Sequence, residues 1–155
     1  MPSDTVHRYQ VTAAWRGSTG VGYDAYDRGH EVRAAPSDVA LDLSGDAAFG
    51  GDPSRLNPEV LLVAAASSCQ LLSFLAVAAR ARVDVVDYQD DAGGEMPEAD
   101  RPVRMTRIVL RPRITVRGAV EESRLAHLVE VAHRECYIAN SLRTQVVVEA
   151  EFATG

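Results

Sequence analysis

Polar and apolar positions along this chain change their period several times, and each change marks an element. From Val60 to Ala79 no residue carries a charge, and the run is preceded by Asn57-Pro58-Glu59. Asn is a preferred N-cap, Pro suits the first helical position, and Glu suits the positive end of the helix dipole. This predicts a helix from Pro58 to about Arg82. Residues 121–136 place Leu125, Leu128, Val129 and Ala132 on one stripe at helical spacing, a second and amphipathic helix. Looser alternation predicts strands at 7–15, 20–28 and 30–34, the first two joined as a hairpin by the turn-forming run RGSTG. Further strands are expected at 83–96, 104–117 and 145–152, and a long surface connection rich in Gly, Pro, Ser and Asp at 36–56.

Strands, long helix, strands, helix, strand is the order of an α+β layer protein. No repeat or linker divides it, so residues 1–155 read as one domain, a length that a single core supports. The uncharged run is long enough to cross a membrane. However, Ser67, Ser68, Cys69 and Gln70 occupy its centre, where a lone span places its most apolar residues, and no neighbour would satisfy them. A buried helix is expected instead, its alanines and serines allowing close approach of packed elements.

Charge narrows the partners. The net charge is −6 and no basic block occurs, which argues against nucleic acid, whose binding needs concentrated positive charge. The opening MPSDTVHRYQ lacks a charged segment followed by an apolar one, so a cytoplasmic location is expected.

In a reducing compartment the two cysteines, Cys69 and Cys136, are not expected as a structural staple. Cys69 alone could be a small core residue. Two thiols in an otherwise cysteine-free chain also suit a nucleophile and a resolving group. A zinc site would use His133 and Cys136, one helical turn apart, but needs further ligands from scattered residues such as His30, so no metal or other cofactor is expected. A Cys-His hydrolase pairing Cys69 with His30 or His133 has no supporting motif.

NPEVLLVAAASSC, with Glu59 ten positions before Cys69, and AHRECYIANSL around Cys136 resemble the OsmC/Ohr family of osmotically inducible and organic hydroperoxide resistance proteins. The likeness covers roughly residues 9–152 and points to a less-studied branch. It implies antiparallel sheets wrapped around a long buried central helix, in an intertwined homodimer with sites at the dimer interface. It implies a peroxidatic Cys69, a resolving Cys136, and Glu59 as the carboxylate orienting a catalytic arginine. Arg28 in YDRGHEV has nearly the right spacing before Glu59, and Arg55 is the alternative. Gln70 stands where many relatives carry an aromatic residue, which implies a more polar pocket. The implied reductant is a lipoyl-type or other small dithiol, and the implied role is defence against oxidative stress.

The chemistry asks for such a set independently. A buried thiol ionises reluctantly unless a cation lies beside it, and arginine stays charged while donating hydrogen bonds to a peroxide. Yet ten residues separate Glu59 from Cys69 by about 15 Å at ~1.5 Å rise per residue. An antiparallel pairing of this helix with that of a second subunit would bring Glu59 of one chain near Cys69 of the other. The alternative on the same fold is a non-catalytic redox-sensing or small-ligand-binding protein.

Overall fold

The computed structural model describes residues 4–155. The chain forms two compact units, Met1–Pro58 and Glu59–Gly155.

In the first unit, strands β1 (Thr12–Ala14), β2 (His30–Arg33) and β3 (Ala40–Leu43) form an antiparallel sheet in the order β1-β2-β3. The expected hairpin between 7–15 and 20–28 does not form, because the second run is not a strand. Residues Thr19–Val21 make a 3₁₀ turn, Gly22 adopts φ 99°, and the Gly22 carbonyl accepts from the backbone of both Ala25 and Tyr26. Glycine reaches that φ without the steric penalty other residues meet, so the chain coils here instead of extending. β1 pairs instead with β2.

β3 lies inside the stretch expected to be a surface connection. Val39, Leu41 and Leu43 alternate there, and Leu43 is buried. Beyond it the chain doubles back so closely that a side chain on Gly51 would collide with the Gly45 carbonyl. Ser44 supports this loop, its hydroxyl accepting from the Asp52 amide at 3.0 Å.

The second unit is organised by helix α1 (Pro58–Arg80). Its buried residues Ala66, Gln70, Phe74, Val77 and Ala78 recur at helical spacing, so one face enters the core. Within this chain the helix is therefore half-buried: Leu72 on another face is 62% exposed. Its C-terminus closes on Arg82 at φ 58°, with Val83 N–H donating to the Ala78 carbonyl and Arg82 N–H to that of Ala79. This is a Schellman closure, with the buried pair Ala78 and Val83 supplying the apolar contact that accompanies it.

The C-terminal half of α1 packs in a cluster with α2 (Glu122–Arg134), through Phe74, Val77, Leu125, Val129 and Ala132. Its N-terminal half, through Ala66, meets Met105, Ile108 and Leu110. The expected strands at 83–96, 104–117 and 145–152 each divide between two sheets. One sheet orders β4 (Asp84–Asp90), β7 (Pro112–Arg117) and β9 (Glu151–Thr154) as β4-β7-β9. The other orders β5 (Gly93–Glu95), β6 (Arg107–Leu110) and β8 (Gln145–Val148) as β5-β6-β8. The pairs β6 with β8 and β7 with β9 are parallel, so these sheets are mixed where antiparallel ones were expected.

Arg111 stands at one crossing between sheets, where its backbone N–H leaves the ladder and donates to Asp90 Oδ1 at 2.6 Å. Pro112, which has no N–H to contribute, begins the next strand. Asp90 also accepts from the Ser67 hydroxyl at 2.5 Å, tying α1 to the end of β4.

Candidate active site

Both cysteines are free thiols, Cys69 half-buried and Cys136 fully buried. Cys69 sits near the middle of α1, while Cys136 follows α2 as the N-cap of the short helix α3 (Tyr137–Asn140). The fold brings them within hydrogen-bonding reach of each other. Burial pushes the Cys136 thiol above its ordinary range, the amide of Ala139 pulls the other way, and the contact with Cys69 raises it further. Both burial and the contact with Cys69 therefore oppose ionisation of Cys136.

A cavity of about 230 Å³ opens beside Cys69. Leu72, Ser73, Ala76 and Arg80 continue its wall along the same stripe of α1, and Glu135 and Tyr137 close it from the end of α2 and the start of α3. Sequence reading missed Arg80 as a neighbour of this cavity. The signal was available, since positions 69, 72, 73, 76 and 80 share one helical face.

Gln70 does not contribute the polarity expected of it. Its side chain is buried on the neighbouring stripe, with Nε2 donating a long 3.5 Å bond to the Val129 carbonyl of α2. Tyr88 of β4 lies behind the pair, its ring 5.9 Å from that of Phe74 and its hydroxyl buried without a hydrogen-bond partner among the described residues. Burial, then the negative charge of Asp90 and that of Cys136 once alkaline pH ionises it, push its phenol well above the usual range.

Glu59 occupies the first turn of α1, and its Oε2 is buried without a hydrogen-bond partner among the described residues. Arg28 belongs to the first unit and is held by its own loop. Its guanidinium donates to the carbonyls of Tyr26 at 3.0 Å and Tyr23 at 2.8 Å, and lies over their rings at 4.0 and 4.9 Å. Gly50 leaves room for it, because a Cβ there would stand 2.9 Å from Arg28 Cζ. Arg55, the alternative, is also in this unit, with Nε 3.6 Å from Asp52 Oδ2 and its guanidinium against Gly29, next to Arg28 in the chain.

The family model for OsmC-like proteins matches residues 51–151. The chain belongs to the OsmC family. An OsmC-like protein of unknown function from Vibrio cholerae is similar in structure, with a TM-score of 0.85 and 27% identity over 94% of this chain and all of that one. The OsmC-type fold is also that of an organic hydroperoxide resistance protein from Elizabethkingia anophelis, with a TM-score of 0.73 and 19% identity over 99% of this chain and 100% of that one. The organic hydroperoxide resistance protein OhrB of Bacillus subtilis follows at a TM-score of 0.60 and 20% identity, covering 95% of this chain and 98% of its own. No curated protein matches the chain. The mixed α and β architecture with its long helix is thus that of the OsmC family.

Proposed function

We propose that this OsmC family member is a cysteine-based peroxidase that reduces organic hydroperoxides to alcohols, in defence of the cytoplasm against oxidative stress. The observation that carries the reading is the Cys69–Cys136 pair: a half-buried thiol beside a cavity, in reach of a fully buried thiol whose ionisation burial opposes. Two-cysteine peroxide chemistry needs that asymmetry, since only one thiol should meet the oxidant.

In the proposed cycle the Cys69 thiolate attacks the terminal peroxide oxygen. The S–O bond forms as the O–O bond breaks, Cys69 is oxidised to a sulfenic acid, and the departing alkoxide takes a proton to leave as alcohol. Cys136 then attacks the Cys69 sulfur, forming the disulfide and releasing the oxygen as water. A small dithiol, of lipoyl type or another, returns both cysteines to thiols and is itself oxidised to a disulfide. Arg28 is assigned the role of the cation that stabilises thiolate and alkoxide, and Glu59 that of the carboxylate that orients it; both assignments rest on the family resemblance.

A homodimer is part of the proposal. The exposed apolar residues Leu72 and Leu75 on α1 support it, because a long apolar helix face in water favours a covering partner. Sedimentation at micromolar concentration is expected to give twice the chain mass.

The decisive experiment counts free thiols and intact mass on the reduced protein, without oxygen, before and after one equivalent of cumene hydroperoxide. Rapid loss of both thiols with disulfide formation, abolished in Cys69→Ser, is the expected outcome. Survival of both thiols would reject the peroxidase reading.

A further inference from the structure

Tyr88 is oriented against the habit of its residue type. A tyrosine at the edge of a core commonly buries its ring and keeps the hydroxyl wet. Here the residue as a whole is half-buried, while its hydroxyl is buried and makes no hydrogen bond among the described residues. Burying a hydroxyl without a partner opposes folding, so its presence points to a use outside stability.

Its surroundings place it at the resolving thiol. Tyr88 and Asp90, two apart in β4, share a face of the strand. Asp90 is tied to Ser67 at 2.5 Å and the Tyr88 ring lies 5.9 Å from Phe74, so that face meets α1 between positions 67 and 74, the stretch that carries Cys69. Tyr88 packs on the same cluster as Val129 and Ala132 of α2, and Cys136 stands four positions after Ala132. Both carboxylate oxygens of Asp90 already accept, from Ser67 and from the Arg111 amide. A thiol sulfur accepts hydrogen bonds weakly and a thiolate strongly, so a donor beside Cys136 stays idle until that sulfur ionises.

We infer that Tyr88 stabilises the thiolate of Cys136, donating its hydroxyl hydrogen bond to that sulfur as Cys136 attacks the sulfenic acid of Cys69. In this step the S–S bond forms as the Cys69 S–O bond breaks, and the oxygen leaves as water with the proton that Cys136 gave up. Tyr88 keeps its own proton, its phenol being pushed well above the usual range. When a dithiol later attacks the Cys69 sulfur, Cys136 departs as a thiolate and meets the same donor. Cys69 from α1 and Tyr88 from β4 are the titratable groups in electrostatic contact with Cys136, Asp90 acts on Tyr88, and His133 and Glu135 precede Cys136 in the chain. The condensation step rests on the peroxidase reading, whereas the stabilised thiolate does not depend on turnover.

The test uses Tyr88→Phe, which keeps the ring and removes the donor. After one equivalent of cumene hydroperoxide, with dimedone present as a sulfenic-acid trap and intact mass as the readout, Cys69 is expected to oxidise as fast as in the wild type. Condensation with Cys136 is expected to be about tenfold slower, the effect of one hydrogen bond to a charged group, so that the dimedone adduct replaces the disulfide. Excess peroxide then carries Cys69 on to the sulfinic acid. An unchanged share of disulfide would overturn the inference.

If peroxide does not oxidise Cys69 in the wild type, the peroxidase reading fails by itself and Tyr88 is judged on the thiolate alone. In Cys69→Ser, iodoacetamide labelling of Cys136 at pH 8.5 should slow about tenfold when Tyr88→Phe is added, because losing a donor to the thiolate raises the thiol further. A tyrosine that only packs would act in the opposite direction, its substitution loosening the site and speeding the labelling. Equal or faster labelling rejects the role of Tyr88 independently of any peroxide chemistry.

Discussion

Cys136 points its thiol at Cys69 from the turn between α2 and α3, and it is Cys136, the fully buried member, whose ionisation the surroundings oppose. The two sulfurs meet although they belong to different helices. Their inequality is what the proposed chemistry exploits.

Alkylation should reveal the inequality directly. With iodoacetamide at neutral pH, Cys69 is expected to react about tenfold faster than Cys136 or more, as judged by peptide mass mapping. Because the pKa of Cys136 is raised, its thiolate appears only as pH climbs past the ordinary thiol range, so its labelling should lag that of Cys69 up to and beyond pH 8.5. Faster labelling of Cys136 at neutral pH would reverse the assignment of nucleophile and resolving group.

Arg82 holds a backbone conformation that glycine adopts without penalty. At φ 58° its Cβ crowds the following carbonyl, while the hydrogen bonds of the helix end require that conformation. Arg82→Gly is expected to stabilise the protein by about 1 kcal/mol in urea denaturation, the strain removed exceeding the added freedom of the unfolded chain. A loss of stability would mean that the arginine side chain makes a contact worth more than the strain.

Asp90 satisfies two elements at once, the Ser67 hydroxyl of α1 and the Arg111 amide at the sheet crossing. Asp90→Ala strands both donors and should cost about 2–3 kcal/mol. Asp90→Asn keeps one carbonyl acceptor and is expected to fall between the two. Equal stability of all three proteins would show that water replaces the carboxylate at no cost.

The Tyr88 hydroxyl is buried with no partner among the described residues, so removing it forfeits no hydrogen bond. Tyr88→Phe keeps the ring against Phe74 and should be neutral or stabilising by up to about 1 kcal/mol. Destabilisation beyond that range would reveal a bridging water between the phenol and its surroundings.

The helices were legible because their signals are local and long. Pro58 and Glu59 mark the start of α1, and the stripe of Leu125, Leu128, Val129 and Ala132 marks α2; both helices lie where the spacing places them. The strands were less so. The period of two runs on through Arg111 and through Glu149, while the chain changes sheets at both, because side-chain alternation describes the pleat and not the partner. β3 was hidden by its four-residue length, and the run from Gly20 to Arg28 alternates like a strand but turns at Gly22.

The same division holds at the site. Two cysteines in a cysteine-free background, each in a motif resembling the OsmC family, were visible before any fold was known, and so were Glu59, Arg28 and Arg55. That Cys136 is the more deeply buried thiol and in contact with Cys69 was not visible, and neither was the groove that Arg80 shares with Cys69. Local pattern thus determined the long helices and the identity of the reactive groups, since helix formation depends on neighbours three and four residues away. Which strands paired, which thiol was buried more deeply, and where Gln70 pointed were decided by contacts between segments distant in the chain, through burial and desolvation that no short window of sequence contains.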